Sequence, residues 1–250
     1  MIGRIIWFAA LAAIALLTTA LQLDMHSKKA PGLAAVVPAP LRSQAQVQIV
    51  QTALAGKDAK LAVAEAERLV RRRPLPAESL TLLAVAQAKA GDLDAAGRTI
   101  QIAGQRGWRV AMAQEAVLRL ALGAGDKPEA ARRYAALFLR DQTPDSLLEE
   151  LAPAVLGEPG GLGQQTMVAI VVGGERWHTT FLRRGVRVMP PAVFSAIAAS
   201  SVLEGAAFDC GALAQSIKAV GQRDAGAGYN LAMAASSRCS KQAPPGTFAF

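Results

Sequence analysis

Glu175 and His178 stand beside a glycine pair in "GGERWH", and Asp209 follows later in the chain. A histidine titrates near neutral pH, and a carboxylate can orient its ring, so these three have the make-up of a general base with its partners. A glutamate at a turn beside an exposed histidine is the plainer reading, and the spacing fixes no geometry. "GGLG", Gly160 to Gly163, lacks the Lys-Ser/Thr that a phosphate loop needs and reads as a linker. The only histidines are His26 and His178, and their surroundings have no zinc spacing; neither a metal nor a cofactor is expected. Cys210 and Cys239 are the only cysteines, an even count that predicts a disulfide in an exported chain. Two unrelated buried thiols are the alternative.

These groups need elements to hold them. "TMVAIVV", Thr166 to Val172, is the first β-branched run, and with Trp177 to Arg183 it predicts a hairpin across "GGER". "GVRVM", Gly185 to Met189, would add a third strand. Helices are expected over Pro191–Leu203, Cys210–Val220 and Ala227–Arg238. Together they predict a small α+β region at 160–240, after a boundary near Gly160, with a tail at 241–250. The alternative is that the strands interrupt a run of further helical hairpins.

Residues 44–156 read as consecutive helices with an internal period. Asp58, Asp92 and Asp126 lie at intervals of 34, as do Ala62, Ala96 and Ala130. The same spacing links Ile49, Leu83 and Val117; Ala66, Ile100 and Tyr134; and Leu69, Ala103 and Leu137. Glycine before the Asp ends one helix, the Asp caps the next, and the alanine allows the two helices to cross closely. The repeating unit is a helical hairpin.

This span resembles the tetratricopeptide repeat (TPR) family. The middle unit carries the likeness best, through Leu80, Leu83, Ala84, Gly91, Asp92, Ala96, Ile100 and Ala103. The third unit offers Val117, Gly125, Asp126, Ala130, Tyr134 and Leu137. The first departs by placing Gln46 at an apolar place, and Trp108 stands where the middle unit should have proline. The resemblance implies an α-solenoid of about three hairpins, closed by a helix over Pro144–Leu156, with a concave surface for protein partners. It assigns no catalytic residue.

Upstream, Ile5 to Leu23 contains no charge, a length that just crosses a hydrocarbon core of about 30 Å. Residues 1–26 are therefore expected to be a transmembrane anchor, with a cleaved signal peptide as the competing reading. Residues 27–43, rich in Pro and Gly, predict a tether. Alanine rather than aromatic residues supplies most of the 52% apolar content, which favours close-packed helices and a mainly α fold.

The net charge of +8 suits anionic lipid or glycan. Nucleic acid is not expected, because basic and aromatic residues do not interleave on any one stretch. "RRR", Arg71 to Arg73, complements a helix end, and Arg132, Arg133, Arg183, Arg184 and Arg187 add positive surface. Lys28, Lys29 and Arg42 follow the span, which favours a cytoplasmic body. The export-like N-terminus and the cysteine pair favour a periplasmic one. The expected protein is a single-pass inner-membrane adaptor, not an enzyme, that binds protein partners on the periplasmic side during assembly of an envelope or export complex. Two alternatives stay open: an envelope enzyme with its site in the C-terminal part, and a structural subunit of a multi-span membrane complex.

Overall fold

The computed structural model describes residues 2–239, and the expected tail at 241–250 lies outside the described residues. Helix α1, Ile2–His26, is the one described helix long and apolar enough to cross a membrane. Ile5, Trp7, Phe8, Ile14 and Leu17 stand exposed along it.

Six helices follow with the expected spacing: α2 Gln44–Ala55, α3 Ala59–Arg72, α4 Ala77–Lys89, α5 Leu93–Arg106, α6 Ala111–Gly123 and α7 Lys127–Phe138. Asp58, Asp92 and Asp126 precede α3, α5 and α7, and their carboxylates accept the N–H of Leu61, Ala95 and Glu129 at 3.0, 3.0 and 2.9 Å. Each therefore satisfies one of the free N–H groups at a helix start. Gly91 and Gly125, with φ of 86° and 75°, close α4 and α6 in the left-handed conformation that glycine adopts without steric cost. Ala62, Ala96 and Ala130 are all buried, as are Ile100, Val117 and Tyr134, while Leu83 packs at the margin of a core of Val50, Ala62, Ala66, Leu69 and Ala86.

The chain divides into two compact units, the first ending at Ala113 and the second starting at Gln114. Gly160, the expected boundary, thus lies inside the second unit, in a loop. In the first unit, residues 27–43 are folded rather than extended. They form two short 3₁₀ turns, and Ala34 and Val37 pack with Ala45 of α2.

The expected α+β region is not present: the described residues contain no strand. The second unit continues as α8 Asp145–Leu156, α9 Leu162–Val172, α10 His178–Val188, α11 Pro191–Leu203, α12 Cys210–Arg223 and α13 Ala225–Cys239. Thr166–Val172, read as a strand, is the body of α9. Its buried residues Met167, Val168 and Val171 share one helical face. Trp177–Arg183 and Gly185–Met189 fall on a 3₁₀ turn and on α10, where His178, Phe181, Leu182, Gly185 and Val188 are buried at helical spacing. Burial on a helical face overrides the β preference of the valines. Helix α8 does not close the array, because α9 follows and packs on α7.

Helices of the second unit pack largely on the next but one, α7 on α9, α9 on α11 and α11 on α13, with α8, α10 and α12 in a second row. The scarce aromatics are concentrated between them. Rings of Tyr134, Phe138, Phe181 and Phe194 follow one another at centroid distances of 6.3, 6.4 and 5.3 Å. Burial pushes the Tyr134 hydroxyl far above the usual phenol range, and it donates to the Leu148 carbonyl at 3.3 Å.

Candidate functional site

Of the three catalytic candidates, two are built into the fold. The His178 ring is buried against Phe208, 4.7 Å between centroids, and its nitrogens lie 3.0 Å from the Val171 carbonyl and 3.3 Å from that of Ala207. The Asp209 carboxylate caps α12 by accepting the Ala212 N–H at 2.7 Å. Glu175 is exposed on the 3₁₀ turn before α10. The histidine thus has backbone carbonyls on both nitrogens, where a general base needs a carboxylate on one and substrate at the other. Among the described residues no group of three or more His, Cys, Asp or Glu is placed to hold a metal.

Cys210 and Cys239 lie at disulfide distance, with Cα atoms 5.6 Å apart, and tie the start of α12 to the end of α13. They border a cleft of about 310 Å³ with Phe208, Leu213 and Arg238. Arg238 is committed to the fold there, donating to the carbonyls of Gly205 and Ala206 at 2.8 and 3.2 Å.

The expected positive surface is partly spent in the same way. Arg184 is buried, not displayed. Its guanidinium donates to the carbonyls of Phe138, Arg140 and Thr143 and to Asp145. It thereby serves the Phe138 carbonyl that ends α7 and two carbonyls of the turn that follows. Arg187 also reaches Asp145, at 3.2 Å, and Arg132 and Arg133 both pair with Glu129. Burial would raise the Glu129 pKa, but hydrogen bonds from Arg133 and Arg132 outweigh it and hold the group below its ordinary value. Arg183 remains exposed.

Two features that sequence reasoning missed organise the hairpins. The first is a buried polar pair at recurring positions. Gln46 of α2 donates to Glu65 Oε2 of α3 at 2.8 Å, and Arg72 donates to Gln46 Oε1 at 3.1 Å. Two periods later, Gln114 of α6 accepts from Arg133 of α7 at 3.2 Å. Between them, Leu80 and Thr99 occupy the equivalent places. Gln46 is therefore a departure from the apolar pattern with a partner across its own hairpin.

The second is the junction of α1 with the body. Asp24, in the last turn of α1, is 4% exposed. Its carboxylate accepts the N–H of Ser43, Gln44 and Ala45 at 2.7, 3.1 and 2.9 Å. Ser43, at the N-cap position of α2, makes no side-chain cap of its own. The cap is supplied instead by the apolar helix, and Arg42 braces the intervening turn by donating to the carbonyls of Val37 and Ala35. What the sequence offers as a loose tether is thus pinned at both ends. Serine is itself a preferred N-cap residue, so the sequence carries no sign that Asp24 takes this place.

No family model, curated protein or solved structure matches the chain.

Proposed function

We propose that this protein is a membrane-anchored adaptor. It holds protein partners on TPR-like helical hairpins at the periplasmic side of the inner membrane, during assembly of an envelope or export complex. The observation that carries this reading is the Asp24 junction. An exposed apolar helix ends in a carboxylate that caps the first helix of the hairpin body. A cleavable leader has no need of a structural bond to the mature fold, whereas a permanent anchor that presents a platform gains from one.

Three hairpins with repeated caps and alanine crossings support a binding scaffold, since such arrays offer a broad surface rather than a single pocket. The commitment of His178 and Asp209 to backbone partners favours binding over catalysis. The cysteine pair favours an oxidising compartment, because cytoplasmic thiols are kept reduced. The test is fractionation of cells expressing the full chain. The reading expects retention in the membrane pellet through alkaline carbonate, and digestion of the body by protease added outside spheroplasts. Release by carbonate would remove the anchor, and protection of the body would place it on the other side.

A further inference from the structure

Arg71, Arg72 and Arg73 end α3, and the antiparallel hairpin returns that end to the start of α2. Arg72 marks the place. Its guanidinium donates to the Arg42 carbonyl at 3.3 Å and to Gln46 at 3.1 Å. Arg42 adjoins Ser43, the first of the three residues held by Asp24 of α1. The arginine triplet therefore shares one end of the hairpin with the exit of the apolar helix. Lys28 and Lys29, both exposed, occupy the turn that leaves this helix.

We infer that Arg71 and Arg73, together with Lys28 and Lys29, form a docking surface for the anionic phospholipid headgroups of the leaflet from which α1 emerges. The inference rests on α1 being a membrane span. The polar layer outside a hydrocarbon core is about 5–7 Å deep. Asp24 directly follows Leu23, the last residue of the uncharged run, so the capped start of α2 lies within that layer. Of the acidic groups near this end, Glu78 opens α4 exposed, whereas Asp24 and Glu65 are occupied. Asp24 accepts three N–H groups, and Glu65 is bonded by Gln46 and Arg68. Glu67 stands 3.6 Å from Arg71, whose side chain is still 66% exposed. Arg72 serves the fold, while Arg71 and the lysines extend into the headgroup layer.

The test uses the full chain reconstituted in phosphatidylcholine vesicles carrying spin-labelled phosphatidylglycerol or, separately, spin-labelled phosphatidylcholine as the probe. The anionic probe should associate preferentially, and the preference should fade as salt rises. The double variant Arg71→Gln, Arg73→Gln leaves Arg72 in place and should reduce the preference by about fivefold per cation removed. The variant Lys57→Gln, Lys60→Gln removes the same charge around Asp58, at the opposite end of α3, and should retain it. No anionic preference in the unaltered chain, or an equal loss in both variants, would overturn the assignment. Failure of the membrane span itself is read separately, as release of the chain by alkaline carbonate.

Discussion

The Asp24 carboxylate accepts the Ala45 N–H at 2.9 Å, so the apolar helix α1 caps α2, the first helix of the body. Residues 25–44 lie between the two partners and are held by this bond, by the Arg42 contacts and by the packing of Ala34 and Val37 on Ala45. Replacing Asp24 by alanine leaves three helix-start N–H groups without their charged acceptor. A stability loss of about 1–3 kcal/mol is expected. Asparagine should recover part of it. Thermal melting of the full chain in mild detergent, with hydrogen exchange at Ser43 to Ala45, measures both effects. Unchanged exchange at those amides would show that the bond does not hold α2.

The alanine crossings make a second prediction. Ala62 and Ala130 are 0% exposed and Ala96 is 8% exposed. Leucine at any of the three should overpack its hairpin at a cost of about 1–3 kcal/mol. The two fully enclosed sites should suffer more than Ala96. Arg98→Leu, on an exposed face of α5, should be nearly silent. Comparable melting shifts for Arg98→Leu and Ala96→Leu would refute the register.

The polar pair of the first hairpin can be exchanged for the residues that stand at the same places in the second. Gln46→Leu alone strands Glu65 Oε2 and should cost about 1–3 kcal/mol. Adding Glu65→Thr reproduces the Leu80 and Thr99 combination and should recover most of that loss. A double variant no better than the single one would mean that the equivalent positions of the two hairpins are not interchangeable.

The middle of the chain was readable because its signals are local and repeated. A cap at Asp58, Asp92 or Asp126 acts within three residues, and the period multiplies it. The C-terminal part was misread at Thr166–Val172, where a short run of valines fits a strand or a buried helix equally well. The helical spacing of His178, Phe181, Leu182, Gly185 and Val188 is present in the sequence, but "GGER" between two apolar runs fits a hairpin turn equally well. Among the candidate site residues, the cysteine pairing was legible from the even count taken with the export-like N-terminus. The Asp24 cap was not, because it joins positions some twenty residues apart through a segment whose Pro and Gly content argues for disorder. Arg184, which reaches back to Phe138 and Thr143, was hidden for the same reason.

The cysteine pair joins the start of α12 to the end of α13, with a sequence separation of 29. The chain-entropy model assigns such a loop roughly 3–4 kcal/mol of stabilisation. Cys210→Ser with Cys239→Ser should lower the melting temperature by an amount that reductant reproduces in the unaltered chain. In intact cells, both thiols should resist alkylation until a reductant is added. Two freely alkylated cysteines would place the body in a reducing compartment.

The central claim is that the hairpins are a platform for a protein partner. Gln51, Val85 and Arg119 stand at the same place in the first helix of each hairpin, spaced by 34, and all three are exposed. A photo-crosslinking amino acid placed singly at each position, in the full chain in living cells, probes the hairpins one by one. Tyr229 and Met233, exposed on α13, serve as comparison sites. The account predicts that positions 51, 85 and 119 trap the same partner polypeptide and that 229 and 233 do not. Crosslinks confined to the α13 sites, or none from any hairpin position, would contradict it.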